Sequence, residues 1–288
     1  MMMAERTRKN SKTEEESSQE SPPLEEDSLE GSRESAGAKD VKGKRQREEK
    51  GFDPQTWHPR TTLGKAVKEG TIKHIDEILD EGRPILEAEI VDTLLPNLQT
   101  DLLLIGQAKG KFGGGQRRVF KQTQKKTREG NKPKFSTFAV VGNMDGYVGV
   151  GHGKAKETVP AREKAIRNAK LNIVKIRRGS GSWQSNSTDQ HSLPFRVRGK
   201  CGSVIIDLIP APKGTGLVVE KECQKLLRLA GIQDVWSRTR GQTNSKLNTL
   251  YACFAALREL IRTRVREQDA KATGMAEGSA ANVKAGES

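Results

Sequence analysis

The sequence predicts an α+β fold of two units, led by a short helical extension and bounded by charged tails. Three observations predict it. A β-branched and aromatic run, Phe135 to Val141, meets a turn cluster and then a returning strand, which is the pattern of a hairpin. A long stretch with apolar residues at helical spacing follows directly. Beyond residue 193 the order is strand, strand, helix, strand, helix, which packs as a ββαβα sandwich with its helices on one face.

Residues 1–56 carry 14 acidic and 11 basic side chains and hardly an apolar one. Such a segment cannot bury enough surface to offset its ordering entropy, so a disordered tail is expected. Its basic clump, Lys42, Lys44, Arg45 and Arg47, reads at least as well as a solvated linker as it does a nucleic-acid contact. Residues 57–105 turn helical in short pieces. Leu63 and Val67 lie four apart before Gly70; Thr71 caps a piece carrying Ile75, Ile78 and Leu79; Glu87 to Leu95 ends at Pro96. Helices this short do not fold alone and are expected to pack on the main body or a neighbour.

The first unit spans residues 106–192. Gly106 to Arg118 is glycine-rich and basic, a loop on the nucleic-acid side, and Arg118 to Thr127 reads as a weakly apolar strand before the turn Arg128 to Lys132. With Phe135 to Val141 and Tyr147 to Gly151 this makes three consecutive antiparallel strands. Asp145-Gly146 supplies the positive-φ positions of the second hairpin. Gly149, Gly151 and Gly153 strip one face of the returning strand, so that another backbone can come close. Lys154 and Lys156 follow, and a helix opens with Thr158 as cap and Pro160 in its first turn. Val159, Ile166, Ala169, Ile173 and Ile176, with the stem of Arg162, form its apolar side as far as Arg178. Lys164, Arg167, Lys170, Lys175, Arg177 and Arg178 fill much of the rest.

The second unit spans residues 193–262. Phe195 to Val197 and Val204 to Ile209 are strands joined through Gly199 to Gly202, and Pro210 to Gly216 is a rigid loop. Val219, Cys223, Leu226, Leu227 and Ala230 mark a helix stopped by Gly231. Val235 to Arg238 is a short strand. Asn244 or Ser245 caps a last helix with Leu247, Leu250, Tyr251, Phe254, Leu257 and Ile261 on one face. Residues 263–288 are polar and expected to be a disordered tail.

Charge points to the partner. The chain carries +14, whereas residues 106–180 alone hold 19 basic and 4 acidic residues. A bare strand beside lysines and a basic helix suits a phosphate backbone. Aromatic content of 4 % leaves few platforms for base stacking. The plainer alternative is an ordinary α+β core with solvated lysines. Enzyme chemistry finds no footing. The run GVGHGK fails as a P-loop because Val148 and Ala155 stand where Gly and Ser or Thr are needed, and as a dinucleotide fingerprint because Lys154 replaces its third glycine. Two GxxG matches, at Gly110 and Gly146, sit in a loop and a hairpin rather than between the helices of a KH clamp. His58, His74, His152 and His191 have no triad or metal-site spacing, and Cys201, Cys223 and Cys253 form no CxxC. No cofactor and no metal are expected. With no apolar run of membrane-spanning length and a polar start, the reading is a soluble intracellular protein without a signal peptide.

The runs VVGNMDGYVGVGHGKAKETVPAREKAIRNAK, RRGSGSW, HSLPF, VRGKCGSV, LIPAPKGTG and LLRLAGIQDVWS occur in one order, and together they resemble the S-five family of small-subunit ribosomal proteins in its archaeal form. The stretch from Trp57 to Pro96 is similar to the extension of archaeal and eukaryotic members. The resemblance implies a first unit like a double-stranded-RNA-binding domain and a second of the S-five domain-two type. It implies a cytoplasmic ribosomal component that binds small-subunit rRNA near the channel by which messenger RNA enters, and that supports translation and decoding accuracy beside proteins S-four and S-eight. By the same resemblance Asn143, Gly149, Gly151, Gly153, Lys154, Lys156, Arg167, Lys170, Arg177 and Arg178 belong to the principal RNA-contact region. The turn from Arg128 to Lys132 resembles the hairpin reaching towards the subunit's functional centre, and Arg117, Arg118, Lys121, Lys125, Lys126 and Lys134 complete the expected RNA contacts. Pro210, Pro212, Lys213, Gly214 and Gly216 resemble a protein-contact surface. A freestanding double-stranded-RNA-binding protein or ribosome assembly factor is the alternative, and the motifs of the second unit argue against it.

Overall fold

A computed structural model describes residues 56–108, 115–185 and 188–279. The expected tail before Thr56, the centre of the Gly106 to Arg118 loop and residues 280–288 lie outside the described residues. Helices α1 (Thr62–Lys68), α2 (Ile75–Asp80) and α3 (Ala88–Leu94) form the extension. The cap of α2 is His74, not Thr71. Each helix buries two or three side chains. At about 1.5–3 kcal/mol for each large apolar one, that does not cover about 1–2 kcal/mol per ordered residue. The deficit is met on the main body. Leu63, Val67, Ile75, Ile78, Ile90 and Val91 share a cluster with Tyr147 and Ile173, and the Tyr147 hydroxyl donates to Asp76 at 2.8 Å.

The first sheet joins β1 (Gln99–Leu102), β2 (Lys121–Thr127), β3 (Gly130–Gly142), β4 (Tyr147–Ala155) and β5 (Ile173–Lys175), all antiparallel. The polar β1 carried no strand signal in the sequence. It takes the inner half of one β3 edge, Ala139 to Gly142, while β2 takes the outer half, Gly130 to Ser136. The β3–β4 turn puts Met144 (φ 60°) and Gly146 (φ 91°) in the left-handed region, rather than Asp145. It is held in place because Met144 N–H donates to the Leu229 carbonyl and Gly146 N–H to that of Ala230.

Helix α4 (Thr158–Leu171) corrects the sequence reading in three ways. Its N-cap is Glu157, and it stops at Leu171, so that Arg177 and Arg178 form the separate strand β6. Its buried side is Ala161, Ala165 and Ala169, whereas Val159 is 63 % exposed. The reason is β4. A Cβ at Gly149, Gly151 or Gly153 would collide with the backbone of Ala169, Ala165 or Ala161. Only small side chains fit where helix and strand backbones lie this close.

The second sheet runs in the order β7 (Val197–Cys201), β8 (Val204–Pro210), β10 (Val235–Arg240), β9 (Leu217–Val218), with α5 (Lys221–Leu229) and α6 (Lys246–Arg262). Strand β7 begins two residues later than expected and includes Gly199 to Cys201, so the turn is Gly202-Ser203; the two-residue β9 is additional. One core unites the two sheets. Phe138, Val140, Val148 and Val150 of the first share it with Ile206, Leu208, Leu226 and Leu257 of the second unit, and Phe138 meets Tyr251 edge-on with ring centroids 5.0 Å apart. The first sheet thus lies between α4 and the second unit.

The expectation of a tail from residue 263 fails for residues 264–279. Helix α7 (Glu267–Ala272) and strand β11 (Ala276–Glu277) fold back, and β11 pairs antiparallel with β6 while Ala276 is buried. Among the described residues no helix is long and apolar enough to cross a membrane.

Candidate nucleic-acid interface

Strands β2 and β3 leave the sheet as a two-stranded ribbon in which residues 121–126 and 128–134 are all exposed. No core packs on it, so it is held by its backbone ladder and a few surface contacts such as Thr127 Oγ1 donating to the Gly130 carbonyl at 2.8 Å. Register decides where its charges point, since residues directly opposite in an antiparallel pair share a face. Lys121 faces Ser136, Thr123 faces Lys134 and Lys125 faces Lys132. Lys154 of β4 in turn faces Ser136. Five lysines, at 121, 125, 132, 134 and 154, therefore form a strip on one face. That face is continuous with the side of the sheet that Phe138 and Val140 turn to the core. Lys126 lies opposite Asn131 on the reverse face, and Arg128 is exposed in the turn.

Lys125 and Lys132 stand directly opposite, an arrangement that destabilises a sheet by tenths of a kcal/mol unless an anion intervenes. Glu129 of the turn pairs with Lys132 and relieves part of it. At the root of the strip, the Ser136 hydroxyl and His152 Nε2 are 2.5 Å apart. Burial first, and then the Lys154 charge, lower the His152 pKa, so the ring is neutral at pH 7 and adds nothing to the strip.

The other residues expected at the interface separate. Lys156 is exposed just beyond β4, and Arg167 on the outer side of α4; Arg117 and Arg118 are exposed beside the glycine loop. Gly149, Gly151 and Gly153 are a correction: the backbone that comes close to them is that of α4, and their bare face is covered. Asn143 is turn structure, its Oδ1 accepting from the N–H of Asp145 (2.8 Å) and Tyr147 (3.1 Å). Lys170 pairs with Asp92 of α3 at 2.6 Å. Arg177 donates to Glu277 at 2.5 Å and to the Leu260 and Thr263 carbonyls. Arg178 is buried, and its Nη2 donates to Asp145 at 2.5 Å and to the Gly278 carbonyl at 3.1 Å. Lys175 is also buried, paired with Asp80 at 2.6 Å. These four cations are used inside the fold.

In the expected protein-contact loop, Lys213 pairs with Asp189 at 2.7 Å, while Pro210 and Pro212 are half-buried. Gly214 is exposed, and Gly216 donates its N–H to Asp234 at 2.7 Å.

A second cationic surface escaped the sequence reading. On the outward side of the second sheet, Arg196 and Arg198 both reach Asp207 at 2.6 Å. Hydrogen bonds from Arg198, with Arg196 adding to them, hold its carboxyl at about 2 against the opposing push of burial. The alternation Arg198-x-Lys200 and Arg238-x-Arg240 was the available signal.

Two family models match the chain. Residues 105–177 match the N-terminal domain of ribosomal protein S5, and residues 199–272 match its C-terminal domain. The chain is 48 % identical over 228 residues to a small ribosomal subunit protein uS5 of Nanoarchaeum equitans, covering 79 % of this chain and 98 % of that one. It is 45 % identical to the uS5 of Methanothermobacter thermautotrophicus, covering 78 % and 97 %. For that of Aeropyrum pernix the identity is 49 %, covering 75 % and 93 %.

Proposed function

The chain belongs to the ribosomal protein S5 family of structural, non-enzymatic ribosomal components, and from that premise we propose that it binds small-subunit rRNA through the lysine strip of its ribbon. The observation that carries this reading is the strip itself. Lys125 is set directly opposite Lys132, with Lys121, Lys134 and Lys154 on the same face. A fold keeps like charges in such register at a cost, and a phosphate backbone removes that cost by threading between them. Phosphate contacts position without reading bases, which suits a structural component.

In this reading the first unit acts as a double-stranded-RNA-binding-like module and the second is of the S-five domain-two type. The protein sits in the cytoplasmic small subunit near the channel by which messenger RNA enters. Its loop from Pro210 to Gly216, with the second unit, meets neighbouring proteins S-four and S-eight, and through these contacts it supports decoding accuracy. The test is sedimentation of tagged protein from its own cell lysate through a high-salt sucrose gradient. Persistence in mature small subunits and translating ribosomes is expected. Residence only in precursor particles or free fractions would replace this reading with an assembly factor.

A further inference from the structure

We infer that the outward face of the second sheet is a second RNA-binding surface, taking the sugar–phosphate backbone of a segment separate from the one on the ribbon. This rests on the reading that the chain binds RNA, and it adds a site that the basic segment 106–180 does not contain. Register sets the geometry. Arg198 of β7, Asp207 of β8 and Arg238 of β10 lie in one row across the sheet, and Lys200, Ile205 and Arg240 lie in the next. The opposite side is the packed one: Val197, Val204, Ile206 and Leu208 enter the core, and Gly199 abuts Ala252 and Ala256 of α6.

The outward cations therefore form two rails on the strands flanking β8. Two strand spacings put the rails about 10 Å apart, and alternate residues along a rail are about 7 Å apart. Among the described residues Asp207 is the one carboxylate paired within this face. It is buried beneath the two arginines it orients, whose side chains remain 51 % and 59 % exposed. A buried carboxylate holding two guanidiniums in place fixes their remaining N–H groups outward, the fork geometry that recognises phosphate. Lys200, Arg238 and Arg240 are exposed and make no ion pair among the described residues. Half-buried Ile205, Ile209 and Trp236 floor the space between the rails. Five cations over one carboxylate suit a nucleic acid better than a protein, because interfaces with nucleic acid are far more positive than those between proteins.

The experiment measures binding of the full chain to a small-subunit rRNA transcript across a salt series, with thermal melting as a control on folding. R238A/R240A changes two exposed side chains, so the melting temperature should hold. Binding should weaken roughly tenfold near physiological salt, with the salt slope falling by about two. A ribbon variant, K125A/K132A, should do the same, and the two losses should combine in the quadruple variant. If the ribbon variant loses affinity while R238A/R240A keeps both affinity and slope, the second surface is overturned and the RNA reading stands. If neither variant alters binding, the RNA reading itself fails. Wild-type RNA binding by R238A/R240A together with loss from small-subunit particles would assign the face to a protein neighbour and overturn the proposal.

Discussion

The two ends of β3 are treated in opposite ways. From Thr137 to Gly142 the strand is buried on both faces, under α4 on one and the second unit on the other. From Gly130 to Lys134 it is exposed on both. Basic residues follow the same division. Near the packed end, Lys170, Lys175, Arg177 and Arg178 are each paired with a carboxylate. On the ribbon, Lys121, Lys125 and Lys134 have no ion-pair partner among the described residues. Residue type does not separate the groups. What separates them is the supply of carboxylates: Asp80 and Asp92 come from the helical extension, and Glu277 from the returning C-terminal strand. Segments outside the two units neutralise three of these cations, Asp145 of the β3–β4 turn neutralises Arg178, and the ribbon lysines are left displayed.

The sharpest way to break this comparison is at the packed end. Gly151→Val would force a branched side chain into the Ala165 and Asn168 backbone of α4. It should cost about 3 kcal/mol or more in thermal unfolding, since neither backbone can yield. Unchanged melting with lost RNA affinity would instead make that glycine face an RNA surface. Next in size is Arg178→Ala, which removes the guanidinium paired with Asp145 and the donor to the Gly278 carbonyl. We expect a loss of about 2 kcal/mol, discounted because Asp145 is partly exposed, with RNA affinity unchanged when measured well below the melting point. An affinity loss greater than the folded fraction explains would return Arg178 to the interface. Smallest in stability is Lys125→Ala. Removing one of two opposed lysines should leave melting unchanged or raise stability by up to about 0.5 kcal/mol, while lowering the salt slope of RNA binding by about one. A destabilised ribbon with an unaltered slope would mean that Lys125 serves the fold.

The sequence made the ribbon legible because its signals are local. The turn near Gly142 to Gly146 and the strand before it are read within a few residues of themselves, whereas the turn expected over Arg128 to Lys132 narrows to Arg128-Glu129 because β3 already starts at Gly130 and pairs there with β2. The α4 face was misread because isoleucines dominate a periodicity count. The true contact is alanine on glycine, and it appears only once the spacing of Gly149, Gly151 and Gly153 is set beside that of Ala161, Ala165 and Ala169. Strand β11 was illegible in principle. Its two residues gain strand geometry from a partner about a hundred positions earlier, and polar composition gives no hint of that pairing. For the same reason charge alone could not tell Arg177 from Lys125: the difference is where the nearest carboxylate sits after folding.

The closing of β11 on β6 also fixes an order in time. The side-chain partners of Arg177, namely Leu260, Thr263 and Glu277, lie 83 to 100 residues further along the chain. Translation makes the N-terminal part first, and domains fold as they emerge. Until the segment from Leu260 to Glu277 has been made and has folded back, Arg177 has none of these partners.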